Sequence, residues 1–266
     1  IQFTKRIRFI FGTDEETLWR CMNRYNQIEE QADLGFAPDS SFPLTYAEKG
    51  LLQVKLHGPG WDDLPLQAGQ ALNVVPDKAT YAGHRLEELL PVLDQSGVQY
   101  SQTEDSVTVL GVSKHSKDAA EGVNAIVGLA ESLSLIQPHP ALLFIADAVG
   151  EDATGEALFG RITDEPSGDL SFNLATLVID QEQSEIGIDI RIPVLADKDA
   201  LVARLREIAA SYQLEYEEFD YLAPLYVPLD SPLVSSLMAV YQEETGDKTP
   251  AMSSGGATFA RTMENC

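Results

Sequence analysis

Apolar and polar residues alternate along several stretches of the chain, and such alternation is typical of β-strands. The stretches that we predict as strands are residues 7–11, 35–38, 51–57, 98–103, 106–112, 172–180, 184–193 and 214–221. Elsewhere apolar residues recur every three to four positions, a spacing that predicts helices. The predicted helices are residues 17–31, 81–96, 119–135, 199–212 and 233–245. This mixture predicts an α/β fold, and the order strand, strand, helix, strand over 172–221 is most of a split β-α-β unit.

Acidic residues follow the first two predicted strands. Three consecutive acids, Asp14, Glu15 and Glu16, follow the first strand, and Asp39 follows the second. Because the carboxyl ends of parallel strands joined by a helix meet at one edge of a sheet, we expect these acids to lie close together. Carboxylates at such an edge are ligands for Zn²⁺ or Mn²⁺ with a bound water. The alternative is that they are solvated surface acids.

The composition narrows the classes of function. The chain has 266 residues, enough for one large domain or two ordinary ones, and a formal net charge of −24. A surface with this much negative charge repels phosphate backbones and anionic lipids. We therefore expect neither nucleic acid nor membranes as partners. No apolar run approaches the roughly 20 residues of a membrane span, and we expect no signal peptide. The two cysteines, Cys21 and Cys266, make no disulfide framework, and we therefore expect a cytoplasmic protein.

Further candidate residues stand out by their place in the pattern. His115 lies between a predicted strand and a predicted helix. Arg191 lies on a predicted strand and, by alternation, shares a sheet face with Asp189. It therefore either pairs with Asp189 or binds a ligand carboxylate through two parallel hydrogen bonds. A glycine-rich loop at 255–258 precedes the last apolar segment and could offer backbone N–H groups to an anion.

The sequence lacks the motifs of several other enzyme classes. It contains no Gly-x-Gly-x-x-Gly and no phosphate-binding loop with Lys-Ser/Thr, which argues against nucleotide binding. It contains no Gly-x-Ser-x-Gly, which argues against a serine hydrolase. It also contains no His-x-x-x-His pair that would place a zinc site on one helix.

Several short segments, taken in order, resemble one known family. They are residues 12–16, 36–43 with 48–50, 71–77, His115 with 122–125, and 255–261. Each segment alone is a weak signal. Their order and spacing along the whole chain resemble the co-catalytic zinc peptidases of the PepV-type dipeptidase and carnosinase group. The chain departs from that family at Ala119, where its members usually have proline.

The resemblance implies an active site with two zinc ions, or manganese, as the cofactor. Glu15 would be the general base and acid that acts on a metal-bridging water, Glu16 would bind one zinc ion and Asp39 the other. His115 would reach over from an inserted lid and stabilise the oxyanion of the tetrahedral intermediate. The family also needs a histidine and a bridging aspartate before the first residue and a histidine after the last. We therefore expect the chain as given to be an inactive segment of a longer protein.

The substrate that the resemblance implies is a dipeptide with unblocked ends. Arg191 would bind its carboxylate and Asn73 would help to position it. Gly255, Gly256 and Thr258 would contact its backbone. The intact protein would be a zinc-dependent dipeptidase that uses metal-activated water.

The resemblance also implies the domain organisation. Residues 1–47 and 224–266 would form part of a catalytic α/β domain, with a mostly parallel sheet flanked by helices. Residues 48–223 would form an inserted α+β lid of two ferredoxin-like halves, an arrangement that favours a monomer. Two alternatives remain open. One is a deacylase or carboxypeptidase of the same superfamily that acts on N-acyl amino acids, and the other is a fragment that binds peptides without cleaving them.

Overall fold

The chain forms an α/β structure, which a computed structural model describes for residues 5–15 and 19–263. It divides into two compact units. Unit 1 comprises Ile1–Tyr46, Leu225–Met252 and Gly256–Cys266, and unit 2 comprises Ala47–Pro224 and Ser253–Gly255. Within the described ranges, no helix has the length and apolar character needed to cross a membrane.

Strands and helices alternate along both units. The strands are β1 (Thr45–Glu48), β2 (Gly50–Pro59), β3 (Leu66–Ala68), β4 (Lys78–Tyr81), β5 (Tyr100–Gln102), β6 (Val107–Leu110), β7 (Thr163–Asp164), β8 (Gly168–Asp169), β9 (Ser171–Ile179), β10 (Gln183–Ile192), β11 (Glu215–Leu222), β12 (Leu225–Tyr226) and β13 (Met252–Ser254). The α-helices are α1 (Arg20–Ile28), α2 (Leu86–Ser96), α3 (Ala125–Ser134), α4 (Pro140–Leu143), α5 (Glu156–Phe159), α6 (Lys198–Ser211) and α7 (Pro232–Thr245). Short 3₁₀ helices occupy Ser116–Glu121 and Phe259–Thr262, and a π-helical segment, Phe144–Val149, follows α4.

Unit 2 is built on a five-stranded sheet in the order β11–β2–β10–β9–β3, and all four pairs of neighbouring strands are antiparallel. The chain runs β2, α3, β9, β10, α6, β11, so the four strands other than β3 have the ferredoxin-like arrangement. In the register, Ile190 lies opposite Leu52 on β2 and Phe172 on β9. All three are buried in the core, so this apolar row holds the three strands in register.

Helix α3 links the five-stranded sheet to a smaller sheet in the order β4–β6–β5. Its sequence, AIVGLAESLS, is largely apolar on every side, and eight of its ten residues are buried. Such a helix suits a central position in the core. Asn124 caps the helix, because its Oδ1 accepts hydrogen bonds from the backbone N–H groups of Ile126 and Val127 at 3.0 and 3.3 Å.

Unit 1 contains α1, α7, β12 and the second 3₁₀ helix. Strand β12 belongs to a three-stranded sheet in the order β12–β1–β13. Two aromatic contacts help to hold the segments of unit 1 together. The rings of Trp19 and Phe259 meet edge to face at 6.0 Å, and those of Phe42 and Tyr241 stack at 5.6 Å. Both pairs join segments that are far apart in sequence, which fits the interrupted path of the chain through this unit.

The first two predicted strands are wrong. Residues 6–12 and 35–38 have no strand structure, and Phe9 and Phe11 are 79% and 89% exposed. A strand needs a neighbour for its backbone groups and its apolar face, and no strand in the described part of the chain pairs with either segment. We expected Glu15 and Asp39 to lie close together because each would follow a parallel strand. Without those strands, that reason no longer applies.

Candidate functional site

The five-stranded sheet carries polar side chains on the face opposite its core. In the register, Asp189 on β10 lies between Gln53 on β2 and Asn173 on β9, and Arg191 lies opposite Ser171 on β9. All of them except Gln53 are buried. Burying polar groups costs free energy unless they are hydrogen-bonded, so their partners explain what this polar face does.

Arg191 and Asp189 form a buried ion pair. Arg191 Nε donates to Asp189 Oδ1 at 2.6 Å, and Arg191 Nη2 donates to Asp189 Oδ2 at 3.0 Å. Asp189 is fully buried and also accepts a hydrogen bond from Gln53 Nε2 at 3.0 Å. The pairing of Arg191 with Asp189 is therefore present in the structure, and the binding of a ligand carboxylate by Arg191 stays a prediction.

The rest of the Arg191 guanidinium ties two loops to the sheet. Nη2 also donates to Ser116 Oγ at 3.0 Å, and Nη1 donates to the backbone oxygen of Gly255 at 3.1 Å. Together with the Asp189 contacts, these bonds use four of the five N–H donors of a guanidinium. Among the contacts of the described residues, one Nη1–H has no partner, so a ligand carboxylate would receive one hydrogen bond from Arg191 while these contacts persist.

Ser116 connects the segment that carries His115 to the sheet and to a second loop. Its backbone N–H donates to the oxygen of Asn73 at 2.9 Å, and its Oγ accepts from Arg191. Its carbonyl oxygen accepts from Ser171 Oγ at 2.5 Å. Ser116 is fully buried, so all three contacts are shielded from water. The residue next to His115 is thereby fixed from three directions.

The loop that carries Asn73 lies beside the His115 segment. Val74 and His115 form an isolated antiparallel bridge, and the N–H of Val75 donates to the oxygen of Lys114 at 2.8 Å. Asn73 itself is exposed. Its backbone is therefore held in place while its side chain is accessible to a ligand.

His115 is arranged as a neutral hydrogen-bond donor. Its Nδ1 accepts from the backbone N–H of Lys117 at 3.1 Å, so a neutral ring carries its proton on Nε2. Loss of hydration around the ring, and next the positive charge of Arg191, lower the pKa of His115. The ring is consequently neutral at neutral pH and presents an N–H rather than a positive charge.

The glycine-rich loop contributes to both units. A Cβ on Gly255 would lie 2.7 Å from the Cβ of Lys117, which is closer than two such atoms approach, so glycine is needed at this contact. Gly256 and Thr258 belong to unit 1, where Thr258 Oγ1 accepts from the N–H of Ala260 at 3.3 Å and caps a 3₁₀ helix. Of the predicted substrate-binding residues, Gly255 therefore joins Asn73 and Arg191 in unit 2.

Glu15, the predicted base, and Asp39, one of the two predicted metal ligands, belong to unit 1. Glu16 lies outside the described residues. Glu15 is half-buried in the turn before α1. Asp39 is exposed, and its Oδ1 accepts from the N–H of Ser40 at 2.5 Å. These positions leave the roles assigned to Glu15, Glu16 and Asp39 as predictions.

Asp14, the first of the three consecutive acids, has a structural role. Its carboxylate accepts from the backbone N–H groups of Arg20 and Cys21 at 2.8 and 3.2 Å, at the start of α1. A hydrogen bond with the Cys21 thiol, together with these backbone bonds, holds the pKa of Asp14 well below its usual range. This acid satisfies helix N–H groups that would otherwise lack partners.

The described residues do not by themselves form a zinc site. Among residues 5–15 and 19–263, no group of three or more His, Cys, Asp or Glu side chains is arranged to hold a metal ion. Protein zinc sites use three or four such ligands. The two zinc ions that the family resemblance implies therefore stay a prediction.

Sequence reasoning missed the residues that hold the site together. Ser116, Ser171 and Asn173 each make a hydrogen bond that fixes the segment of Asn73 or of His115. One signal could have pointed to two of them. Ser171 and Asn173 are polar residues at the start of a strand, SFNLATLVI, that is otherwise mostly apolar and buried. Polar residues in such a strand usually have a specific partner.

Comparison with known proteins finds relatives over almost the whole chain. No protein-family model matches the chain. It is 34% identical over 287 residues to a Bacillus subtilis protein named "Putative dipeptidase YtjP", which covers 99% of this chain and 61% of the relative. It is 29% identical over 289 residues to another "Putative dipeptidase" of Staphylococcus haemolyticus, which covers 99% of this chain and 62% of that relative. The chain thus spans about three-fifths of the length of the curated relatives it matches.

Two solved structures resemble the chain at a low level. One is an aminoacylhistidine dipeptidase from Vibrio alginolyticus, with a TM-score of 0.44, 10% identity and coverage of 89% of this chain and 55% of that one. The other is an M20 family metallo-carboxypeptidase from Sulfolobus solfataricus, with a TM-score of 0.38, 13% identity and coverage of 91% and 55%. Similarity at this level carries no argument about function.

Proposed function

We propose that the protein hydrolyses the peptide bond of unblocked dipeptides. The observation that carries the proposal is the network in unit 2, in which hydrogen bonds hold Asn73, His115 and Arg191 around one buried residue, Ser116. The names of the relatives support the same activity. We assign proton transfer and metal binding to residues of unit 1, and substrate binding and oxyanion stabilisation to residues of unit 2.

Arg191 recognises the substrate carboxylate in this proposal. The remaining Nη1–H, together with the charge of the guanidinium, provides a charge-assisted hydrogen bond, which is worth about 1.5–3 kcal/mol. A carboxylate one residue after the scissile bond distinguishes a dipeptide from a longer peptide or from an amide. Arg191 thereby sets the preference for short substrates with an unblocked carboxyl end.

His115 stabilises the oxyanion that forms when the peptide carbonyl is attacked. A neutral ring with its proton on Nε2 donates a hydrogen bond to that oxygen without first losing a proton. Asn73, which is exposed and carries both donors and an acceptor, orients the peptide group beside it. Both residues act on the substrate directly, so both count as catalytic or binding residues.

Glu15 as the general base, and Glu16 and Asp39 as ligands of zinc or manganese, complete the proposal. A divalent metal would supply a nucleophilic water at neutral pH. The carboxylate of Glu15 would accept a proton from the attacking water and return it to the leaving amine.

The test is a hydrolysis assay of the full-length protein with three substrates of matched side chains: an unblocked dipeptide, its N-acetyl form and an N-acetyl amino acid. We expect turnover of the unblocked dipeptide alone. We expect His115→Ala to lower kcat by about 10²–10³-fold with little change in KM, as removal of an oxyanion donor does. Turnover of only the acetylated substrates would favour the deacylase alternative. Binding of the dipeptide without turnover would favour the peptide-binding alternative.

A further inference from the structure

Asn173 is a buried amide on β9 that the proposed reaction does not use. It is 2% exposed and lies directly opposite Asp189 in the register of β9 and β10. Its neighbours along the strand, Phe172 and Leu174, point into the apolar core on the other face. A polar residue at this buried position needs a specific reason.

The Nδ2 group of Asn173 holds the loop that carries Asn73. It donates to the backbone oxygen of Leu72 and to that of Val74, each at 3.0 Å. These two residues flank Asn73 on both sides. One side chain on a rigid strand therefore fixes the backbone before and after a predicted substrate-binding residue, and leaves that residue exposed.

The Oδ1 atom of Asn173 adds nothing to the stability of the sheet. It is buried and has no hydrogen-bond partner among the described residues. Turning the amide over would place Oδ1 against the oxygens of Leu72 and Val74, so the present orientation is the better of the two. An unpaired buried oxygen destabilises a protein, and an apolar side chain of the same size would avoid that cost.

The loop held by Asn173 is in turn bonded to the His115 segment. The oxygen of Asn73 accepts from the N–H of Ser116, and Val74 forms a backbone bridge with His115. A shift of the loop would therefore shift His115 as well. The contacts of Asn173 act on both predicted functional residues through one backbone.

We infer that Asn173 is a positioning residue that holds Asn73 and His115 in the geometry needed for the reaction. This inference rests on the proposed function. It assigns Asn173 no contact with the substrate. A misplacement of about 1 Å at a reacting group can lower the rate about 100-fold, so a residue that only holds a loop has a measurable effect.

The test uses Asn173→Leu, which removes both donors and the unpaired oxygen at nearly constant volume. We expect kcat/KM for an unblocked dipeptide to fall about 10–100-fold, with only a small fall in Tm from the two lost hydrogen bonds. We also expect faster amide hydrogen exchange at Ser116 and Val75, whose N–H groups bond across the two segments. Exchange at Val112, which bonds to Val123 instead, should not change.

The matched control is Ser184→Ala. Ser184 lies on β10 of the same sheet, is 1% exposed and also has an unpaired buried oxygen, but holds no loop through its side chain among the described contacts. We expect it to change neither the exchange at Ser116 nor kcat/KM. If Asn173→Leu fails to fold, Asn173→Ser, which keeps one donor, should show the same changes to a smaller extent.

The readouts separate two failures. If the wild-type protein cleaves no dipeptide, the proposed function is wrong, and the exchange rates still decide whether Asn173 holds the two segments. Unchanged exchange at Ser116 and Val75 in Asn173→Leu would overturn the inference whatever the activity. Faster exchange with an unchanged kcat/KM would overturn it as well, because the released loop would not matter for the reaction.

Discussion

Removing the charge of Asp189 should destabilise unit 2 more than any single surface change. Asp189 is 0% exposed and Arg191 is 5% exposed, and two hydrogen bonds of 2.6 and 3.0 Å join them. In Asp189→Asn the guanidinium keeps its charge but loses its buried counter-charge. Breaking a buried pair by removing one partner costs about 3–5 kcal/mol. With an m-value of about 3 kcal/mol per M urea, the unfolding midpoint should fall by about 1–1.7 M.

The assay is urea unfolding at pH 7 followed by circular dichroism, which reports the helices of both units. Glu207→Gln is the matched control, because Arg204 and Glu207 form an ion pair of 2.8 Å with side chains 51% and 72% exposed. An exposed pair contributes about 0–1 kcal/mol, so the control midpoint should move little. If Asp189→Asn and Glu207→Gln shift the midpoint equally, the reasoning about the buried pair is refuted.

Three smaller perturbations test other parts of the structure. Burial lowers the pKa of His139, whose Nε2 contacts the oxygen of Pro59 and whose Nδ1 accepts from an N–H. The folded protein therefore favours the neutral ring, and this contribution to stability is fully present above about pH 6.5. Urea midpoints should fall as the pH drops below that value and through the lowered pKa of the folded state. Gly255→Ala should lower stability by about 1–3 kcal/mol, read as a lower Tm, because its Cβ would crowd Lys117. Ser231→Ala should lower the free energy of unfolding in urea by about 0.5–2 kcal/mol, because Ser231 Oγ caps α7. In each of the three tests, a stability equal to that of the reference would show that the named contact does not stabilise the fold.

The strands of the large sheet could be predicted from sequence because burial enforces their pattern. Predicted strands at 51–57, 172–180, 184–193 and 214–221 match β2, β9, β10 and β11 to within a few residues. Strands β2, β9 and β10 contribute buried residues to the core, and Tyr216 and Tyr221 of β11 pack against it. The alternation of apolar and polar residues then reflects the two different faces of the sheet. The sharing of a face by Asp189 and Arg191 follows from the same periodicity.

The first two strands could not be predicted correctly, because alternation says nothing about a partner. Ile7, Phe9 and Phe11 alternate as a strand does, but they are exposed. The predicted helix at 119–135 starts too early for a different reason. Residues Ser116–Glu121 form a 3₁₀ helix, and α3 begins only after its cap at Asn124. Local propensity does not separate these two neighbouring helices.

Part of the candidate site could be predicted from the sequence and part of it could not. The resemblance of short segments named Asn73, His115, Arg191 and Gly255, all of which the structure places in one unit. The residues that hold them were out of reach, because their contacts join positions far apart in sequence. Asn173 is about one hundred residues from the loop it holds. Such pairs depend on strand register, which a single sequence does not specify.

The central claim is that Arg191 in unit 2 recognises the free carboxylate of a dipeptide. The most direct measurement is the ratio of kcat/KM for an unblocked dipeptide to that for the same dipeptide as its C-terminal amide, with the full-length protein. A charge-assisted hydrogen bond of about 1.5–3 kcal/mol predicts a preference of about 10–150-fold for the free carboxylate. Equal kcat/KM values for the two substrates would contradict the claim.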